Sequence, residues 1–175
     1  TPYTLNEHAR ELKPLKKKKK FAVIGAGIAG MEFARIATLR GHDVTIYEKT
    51  DELGGVFIAA AAPQFKEKDK MLLKWYAKQM KDLDIKIEFN HEVTEEELAK
   101  LEVDEIIYAT GATPRTLKVE GNTDNVMEAI EYLRNTKKTG DNIAIIGGGL
   151  TGVEIAYDAV LKGKKPIIIE MQKDI

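Results

Sequence analysis

The stretch that decides the fold runs from Phe21 to Lys49, FAVIGAGIAGMEFARIATLRGHDVTIYEK. Phe21-Ala22-Val23-Ile24 is a short apolar run, which predicts a buried strand. It meets Gly25-Ala26-Gly27-Ile28-Ala29-Gly30, which opens a helix running to about Arg40; Gly41 stops that helix. A second strand, Val44 to Tyr47, ends on Glu48. Strand, glycine turn, helix, strand and acid in this order form the βαβ unit that binds the ADP half of a dinucleotide. Gly25 permits the tight turn, Gly27 lets backbone approach a pyrophosphate, and Gly30 lets helix and strand pack closely. The free N–H groups at the helix start, with the positive end of its dipole, face the phosphates. Glu48 stands where a carboxylate can accept hydrogen bonds from ribose hydroxyls.

Shifted by 122 positions, the unit returns without a gap. Ile143 to Ile146 repeats the first strand, and Gly147, Gly149 and Gly152 fall on Gly25, Gly27 and Gly30. Glu154 falls on Glu32, Gly163 on Gly41, and Glu170 on Glu48. Two such fingerprints in register imply two dinucleotides, hence electron transfer between two carriers. The fold class expected is α/β, a Rossmann-like parallel sheet of the two-dinucleotide type, truncated. Only the first two strands and one helix of the second unit are present before Ile175, which predicts a piece of a longer protein.

Outward from these units the signals are weaker. Residues 1–20 lack apolar periodicity and end in five lysines, which reads as a solvated linker; His8 has no partner at ligand spacing. After Glu48 and Lys49, the adjacent Gly54-Gly55 predict backbone passing close to a bulky ligand. Val56 to Pro63 is small and apolar, suited to covering a flat ligand or to filling core. Met71, Leu72, Trp75, Tyr76, Met80 and Leu83 recur at helical spacing across residues 66–82 and read as core. Ile85, Ile87 and Phe89 alternate as a strand, and His91 falls in the loop after it. Thr94 with Glu97 forms a capping box, so Glu95 to Glu97 serve a helix start. Glu105 to Tyr108 reads as a parallel strand that breaks at Ala109-Thr110-Gly111, and Asn125 to Arg134 reads as one helix. The domains expected are a linker over 1–20, a first nucleotide-binding domain over 21–138 and the start of a second over 139–175.

Composition narrows the classes. The chain has 175 residues, 43% of them apolar, and a formal charge of −1, which offers no general attraction to nucleic acid or anionic membrane. No apolar run is long enough to span a bilayer and no signal peptide pattern is present, so the cytoplasm is the expected location. With no cysteine, the chain has no disulfide, thiolate metal site or redox cysteine pair of its own. No residue is a credible acid, base or nucleophile for a substrate, and no metal site is expected.

These motifs resemble the two-dinucleotide flavoproteins of the glutathione-reductase type, over roughly residues 20–171. AVIGAGIAGMEFARIATLRGHDVTIYEK with ELGG, IIYATGATPR and IAIIGGGLTGVEIA are most similar to the C-terminal part of one group. These are the NADH:flavin oxidoreductases built like 2,4-dienoyl-CoA reductase, 2-enoate reductase and trimethylamine dehydrogenase. The resemblance implies FAD in the first unit. Gly25, Ala26, Gly27, Ile28, Ala29 and Gly30 would hold the pyrophosphate, and Glu48 and Lys49 the adenosine end. Gly54-Gly55 would meet the phosphate and ribityl region, Val93 the adenine, and Ala109-Thr110-Gly111 would close over the cofactor. NAD(H) would occupy the second unit through Gly147, Gly149, Leu150, Thr151, Gly152 and Glu170, the acid favouring a free 2′-hydroxyl. It implies too that FMN in a barrel and a 4Fe-4S cluster belong to the full-length protein, as partners of this segment in one chain. Val56 stands where the group often has glutamine. Two other readings are open: an ADP-binding structural module without redox activity, and part of a disulfide or ferredoxin reductase.

Overall fold

The computed structural model describes residues 15–117, 120–135 and 138–173; the linker reading over 1–14, His8 included, lies outside them. In chain order the elements are β1 (Lys20–Ile24), α1 (Ile28–Leu39), β2 (Asp43–Tyr47), α2 (Phe57–Ala60), α3 (Glu67–Asp82) and β3 (Lys86–Glu88). Then follow α4 (Glu95–Leu98), β4 (Glu105–Tyr108), α5 (Ala129–Leu133), β5 (Asn142–Ile146), α6 (Leu150–Leu161) and β6 (Lys165–Ile169). They form two compact units: residues up to Gly55 with Leu73–Gly111, and Val56–Leu72 with residues from Ala112 onward. Val56–Leu72, placed by sequence in the first domain, packs with the second unit.

The first unit is built on a parallel sheet of strand order β3-β2-β1-β4. β1 is flanked on both sides, which explains its unbroken apolar run: Phe21, Ala22 and Val23 are all buried. Val23, Met31, Ala34 and Ile46 form a core with Tyr76, Met80 and Ile85. Strand order reverses between β1 and β4, and the crevice beyond their carboxyl ends is where an open α/β sheet takes its ligand. The last three residues of the basic run are fastened to the sheet's edge. Lys18 lies 2.7 Å from Asp43, Lys19 pairs with Glu105, and Lys20 N–H donates to Asp104.

Three expectations are corrected. The stripe on α3 has helical period, but its buried face is narrower than the apolar count suggests. Tyr76 and Met80 enter the core while Met71, Leu72 and Trp75 stay exposed, Trp75 beneath the Arg35 guanidinium at 5.2 Å. The strand after α3 is only Lys86–Glu88, because Asn90 turns left-handed at φ 54° and leaves Phe89 exposed. The helix expected from Asn125 begins at Ala129. Asn122 Oδ1 accepts from Asp124 N–H in a local turn, and Glu128 and Glu131 form the capping box that starts the helix four residues later.

The second unit pairs β5 with β6 in parallel and packs α6 against α5 through Tyr132, Ile145, Ile155 and Ala159. At the helix–helix contact Asp158 is fully buried. Tyr132 Oη donates to its Oδ2 at 3.2 Å, and Lys162 Nζ lies 2.7 Å from the same oxygen. Oδ1 has no hydrogen-bond partner among the described residues. Burial, with the Asp158 charge beside it, pushes the Tyr132 hydroxyl up to about 12, so it remains a donor throughout the physiological range.

Removing one member of such a buried set leaves the others uncompensated, at a cost of about 3 kcal/mol. Tyr132→Phe should therefore destabilise the second unit measurably, and Asp158→Ala by about 3 kcal/mol, read as a lowered midpoint in urea. Gly30→Ala and Gly152→Ala should be comparably damaging. A Cβ at either position would stand 2.0 Å from the carbonyl oxygen of Gly25 or Gly147, and such overpacking costs about 3 kcal/mol.

Candidate nucleotide-binding sites

Each unit carries the same backbone cradle between a strand and a helix. In the first, Gly25 adopts φ +106° and its N–H donates to Tyr47 O at 2.8 Å, locking the loop to the end of β2. Gly27 is the N-cap of α1, with no side-chain cap and no acid in the first turn. In the second, Gly147 has φ +106° and donates to Ile169 O at 2.9 Å; Gly149 caps α6, again without a side-chain cap or a first-turn acid. A long helix that starts without capping side chain or carboxylate presents amide donors and a positive dipole end, which suits a phosphate. A Cβ at Gly27 or Gly149 would enter open space, so packing does not demand glycine there.

The strand-end acids have a role that sequence reasoning missed. Glu48 is 6% exposed. Its Oε2 accepts from Ala26 N–H at 2.7 Å, and its Oε1 accepts from Thr50 N–H and Thr50 Oγ1, each at 2.8 Å. Glu170 repeats this with Gly148 N–H at 2.6 Å and Gln172 N–H at 2.7 Å. The amides of Gln172 and Gly148 hold the Glu170 carboxyl below the usual range. The signal was present in the register of the repeat, since each acid falls 22 residues after the loop residue whose amide it accepts. A carboxylate has about four acceptor positions, so Glu48, with three donors, keeps about one for a further donor.

The surroundings of the two cradles differ. In the first, Gly54 N–H donates to Ala26 O at 2.9 Å, and Gly54 bridges Gly27 in parallel fashion. Both paired glycines take positive φ, 118° and 55°. Ala109 N–H donates to Ile24 O, and Ala109 O lies 2.5 Å from where a Gly25 Cβ would be. The structure thus brings the Gly25–Gly30 loop, Glu48, Gly54-Gly55 and Ala109 together. Thr110 and Gly111 follow at the same strand end, and Lys49 follows Glu48. Val93 lies in the loop between β3 and α4, which is stitched to the acid-bearing segment by His91 N–H to Glu48 O and Asn90 N–H to Thr50 O, both 2.9 Å. In the second unit, Leu150 and Thr151 form the first turn of α6, and Leu150 is 78% exposed.

Other features lie apart. A cavity of about 450 Å³ in the first unit opens among His42, Asp43, Asp84 and Glu102, at the opposite strand ends. Lys66 and Glu154 form a 2.7 Å pair within the second unit. Among the described residues no cluster could hold a metal ion, and no helix is long and apolar enough to cross a membrane.

The chain is similar to known proteins over nearly its whole length. The chain is 43% identical over 164 residues to the cinnamate reductase of Clostridium sporogenes, an alignment covering 94% of this chain and 24% of that protein. It is 32% identical to the bilirubin reductase of Mediterraneibacter gnavus, over 97% of this chain and 26% of the relative. A solved 2-naphthoyl-CoA reductase complex superposes with a TM-score of 0.84 at 35% identity, covering 94% of this chain and 25% of that one. Histamine dehydrogenase from Rhizobium sp. 4-9 shares the fold, with a TM-score of 0.76 at 19% identity, over 94% of this chain and 28% of its own. The chain therefore spans about a quarter of the length of these relatives. The sequence pattern of the pyridine nucleotide-disulphide oxidoreductases matches residues 4–98 and 94–175, and with the paired cradles it follows that the chain belongs to this family, in the branch of enoate-reductase-like flavoproteins.

Proposed function

We propose that this chain is the FAD- and NAD(H)-binding part of a multidomain oxidoreductase that passes electrons from NADH towards an iron–sulfur and FMN barrel, where an activated C=C bond is reduced. The observation that carries the reading is the duplicated cradle, in which helix-start amides lie open and a strand-end carboxylate holds the loop in both units. The first cradle takes FAD. Amides from Gly27 to Gly30 receive the pyrophosphate while the Ala26 amide stays on Glu48, Glu48 and Lys49 meet the ribose, and the backbone of Val93 meets the adenine. Gly54-Gly55 and Ala109-Thr110-Gly111 wall the cofactor in. The second cradle takes NADH through Gly147, Gly149, Leu150, Thr151 and Gly152, with Glu170 on the adenosine ribose. Bound there, FAD would supply the means of passing reducing equivalents from NADH onward; the chain's residues would bind and orient both cofactors.

The activities of the relatives support the substrate class. Cinnamate and 2-naphthoyl-CoA carry a π-system conjugated to a carbonyl group, which makes it an acceptor for reducing equivalents. The full-length protein should purify with FAD that NADH bleaches anaerobically. Extracts yielding ADP and no flavin would overturn the reading in favour of a structural module. Gly27→Ala should weaken FAD binding about tenfold or more while leaving the unfolding midpoint nearly unchanged. The added methyl meets only the ligand, and a clash of this size costs about 1–3 kcal/mol. Gly149→Ala should do the same to NADH and spare flavin content.

A further inference from the structure

Of the three donors on the Glu48 carboxylate, one differs in kind from the others. The amides of Ala26 and Thr50 belong to the backbone and are fixed by it; the Thr50 carbonyl is itself held by Asn90 N–H at 2.9 Å. The third donor is the Thr50 hydroxyl, whose proton is free to rotate. It has two acceptors in reach, Glu48 Oε1 at 2.8 Å and the carbonyl oxygen of Glu52 at 3.2 Å. A threonine hydroxyl has one proton, so it serves one acceptor at a time, and the shorter contact assigns it to Glu48. Thr50 is exposed and Glu48 is buried, so this bond joins a solvent-facing residue to a carboxylate that needs its lone pairs filled.

A ribose diol brings two donors. With three of about four acceptor positions on Glu48 taken, only one of the two hydroxyls finds room. The amides cannot leave without unmaking the loop. The Thr50 proton can, because the Glu52 carbonyl is there to receive it. The second unit lacks this arrangement. In the 122-residue register Thr50 falls on Gln172, and Glu170 is reached by the amides of Gly148 and Gln172 but by no hydroxyl among the described residues.

We propose that Thr50 is a positioning residue that acts through Glu48. Its hydroxyl takes the place of one ribose hydroxyl before the cofactor arrives, then turns to the Glu52 carbonyl so that Glu48 can receive both hydroxyls of the diol. The hydroxyl keeps the carboxylate satisfied and aimed, and it competes with the cofactor for Oε1. The proposal rests on the reading of the first cradle as the FAD site with Glu48 on the adenosine ribose.

The test is FAD binding to the deflavinated full-length protein, set against binding of an FAD analogue whose adenosine ribose lacks both hydroxyls. Thr50→Val removes the competing donor and should bind FAD about threefold more tightly than the unaltered protein, the scale of one exchanged hydrogen bond. It should bind the analogue no more tightly, since the analogue cannot fill Oε1. Thr50→Ser keeps the hydroxyl and should match the unaltered protein with both ligands. NADH affinity, which reports on the second unit, should be the same in all three proteins and serves as the control for folding. Unchanged or weaker FAD binding by Thr50→Val overturns the proposal, as does an equal gain for the analogue, which is what a purely structural effect on the loop would give. If the unaltered protein does not prefer FAD to the analogue, the assignment of Glu48 to the ribose has failed, and the proposal with it.

Discussion

A hydrogen bond between a strand-end carboxylate and a loop amide holds each half of this molecule in its working shape. The loops Gly25–Gly30 and Gly147–Gly152 must keep several amide donors pointing away from the protein, a conformation with little internal bonding to sustain it. The carboxylates of Glu48 and Glu170 supply the tie from outside, on the adjoining strand. A buried anion is costly unless its oxygens are filled, and at Glu48 three donors fill them. A neutral amide in place of the acid has a single acceptor oxygen and could not serve Ala26 and Thr50 together. The acid is therefore demanded by the loop before any ribose is considered.

From that tie the asymmetry of the two units becomes intelligible. Around Gly25 the segment just past β4 presses so closely that a side-chain carbon would strike the backbone of Ala109, while the Gly54-Gly55 turn bridges Gly27. Around Gly147 a Cβ would meet nothing within 4 Å. The identical φ of these two glycines shows that the turn is set by the βαβ unit itself and not by the neighbours. The neighbours decide something else, namely how much of a ligand is enclosed. The second unit also leaves Ile146, Ile167 and Ile169 more than half exposed on its two strands, whereas β1 of the first is sealed on both sides.

What could be read in the sequence follows the same division. The β1–α1–β2 unit and its repeat were legible because glycine at Gly25 and Gly30 has no substitute: positive φ in one case, a carbonyl 2.0 Å away in the other. The capping box at Thr94 was legible for a similar reason, since its partners lie three residues apart. The onset of α5 was not, because periodicity at Val126 extends past the point where the Glu128–Glu131 cap starts the helix. Nor was the exposure of Trp75, since spacing reveals a face but not its width. That Val56–Leu72 packs with the second unit depends on contacts between distant parts of the chain, such as Lys66 with Glu154 and Phe65 with Tyr157, which no local pattern encodes. The second function of Glu48 was hidden for a related reason. Its partner amides belong to residues whose side chains carry no sign of the bond.

The tie also bears on which nicotinamide cofactor the second cradle prefers under the proposed assignment. The amides of Gln172 and Gly148 that bind Glu170 favour its ionised form, so the structural bond preserves the charge instead of spending it. A ribose diol can donate to the lone pairs that remain. A 2′-phosphate would bring a second anion against a carboxylate that cannot swing away without freeing the Gly148 amide, and with it the loop that grips the pyrophosphate. Discrimination against the phosphorylated cofactor would then arise from the rigidity of the cradle as much as from like charge. A strand-end acid free to rotate would discriminate less.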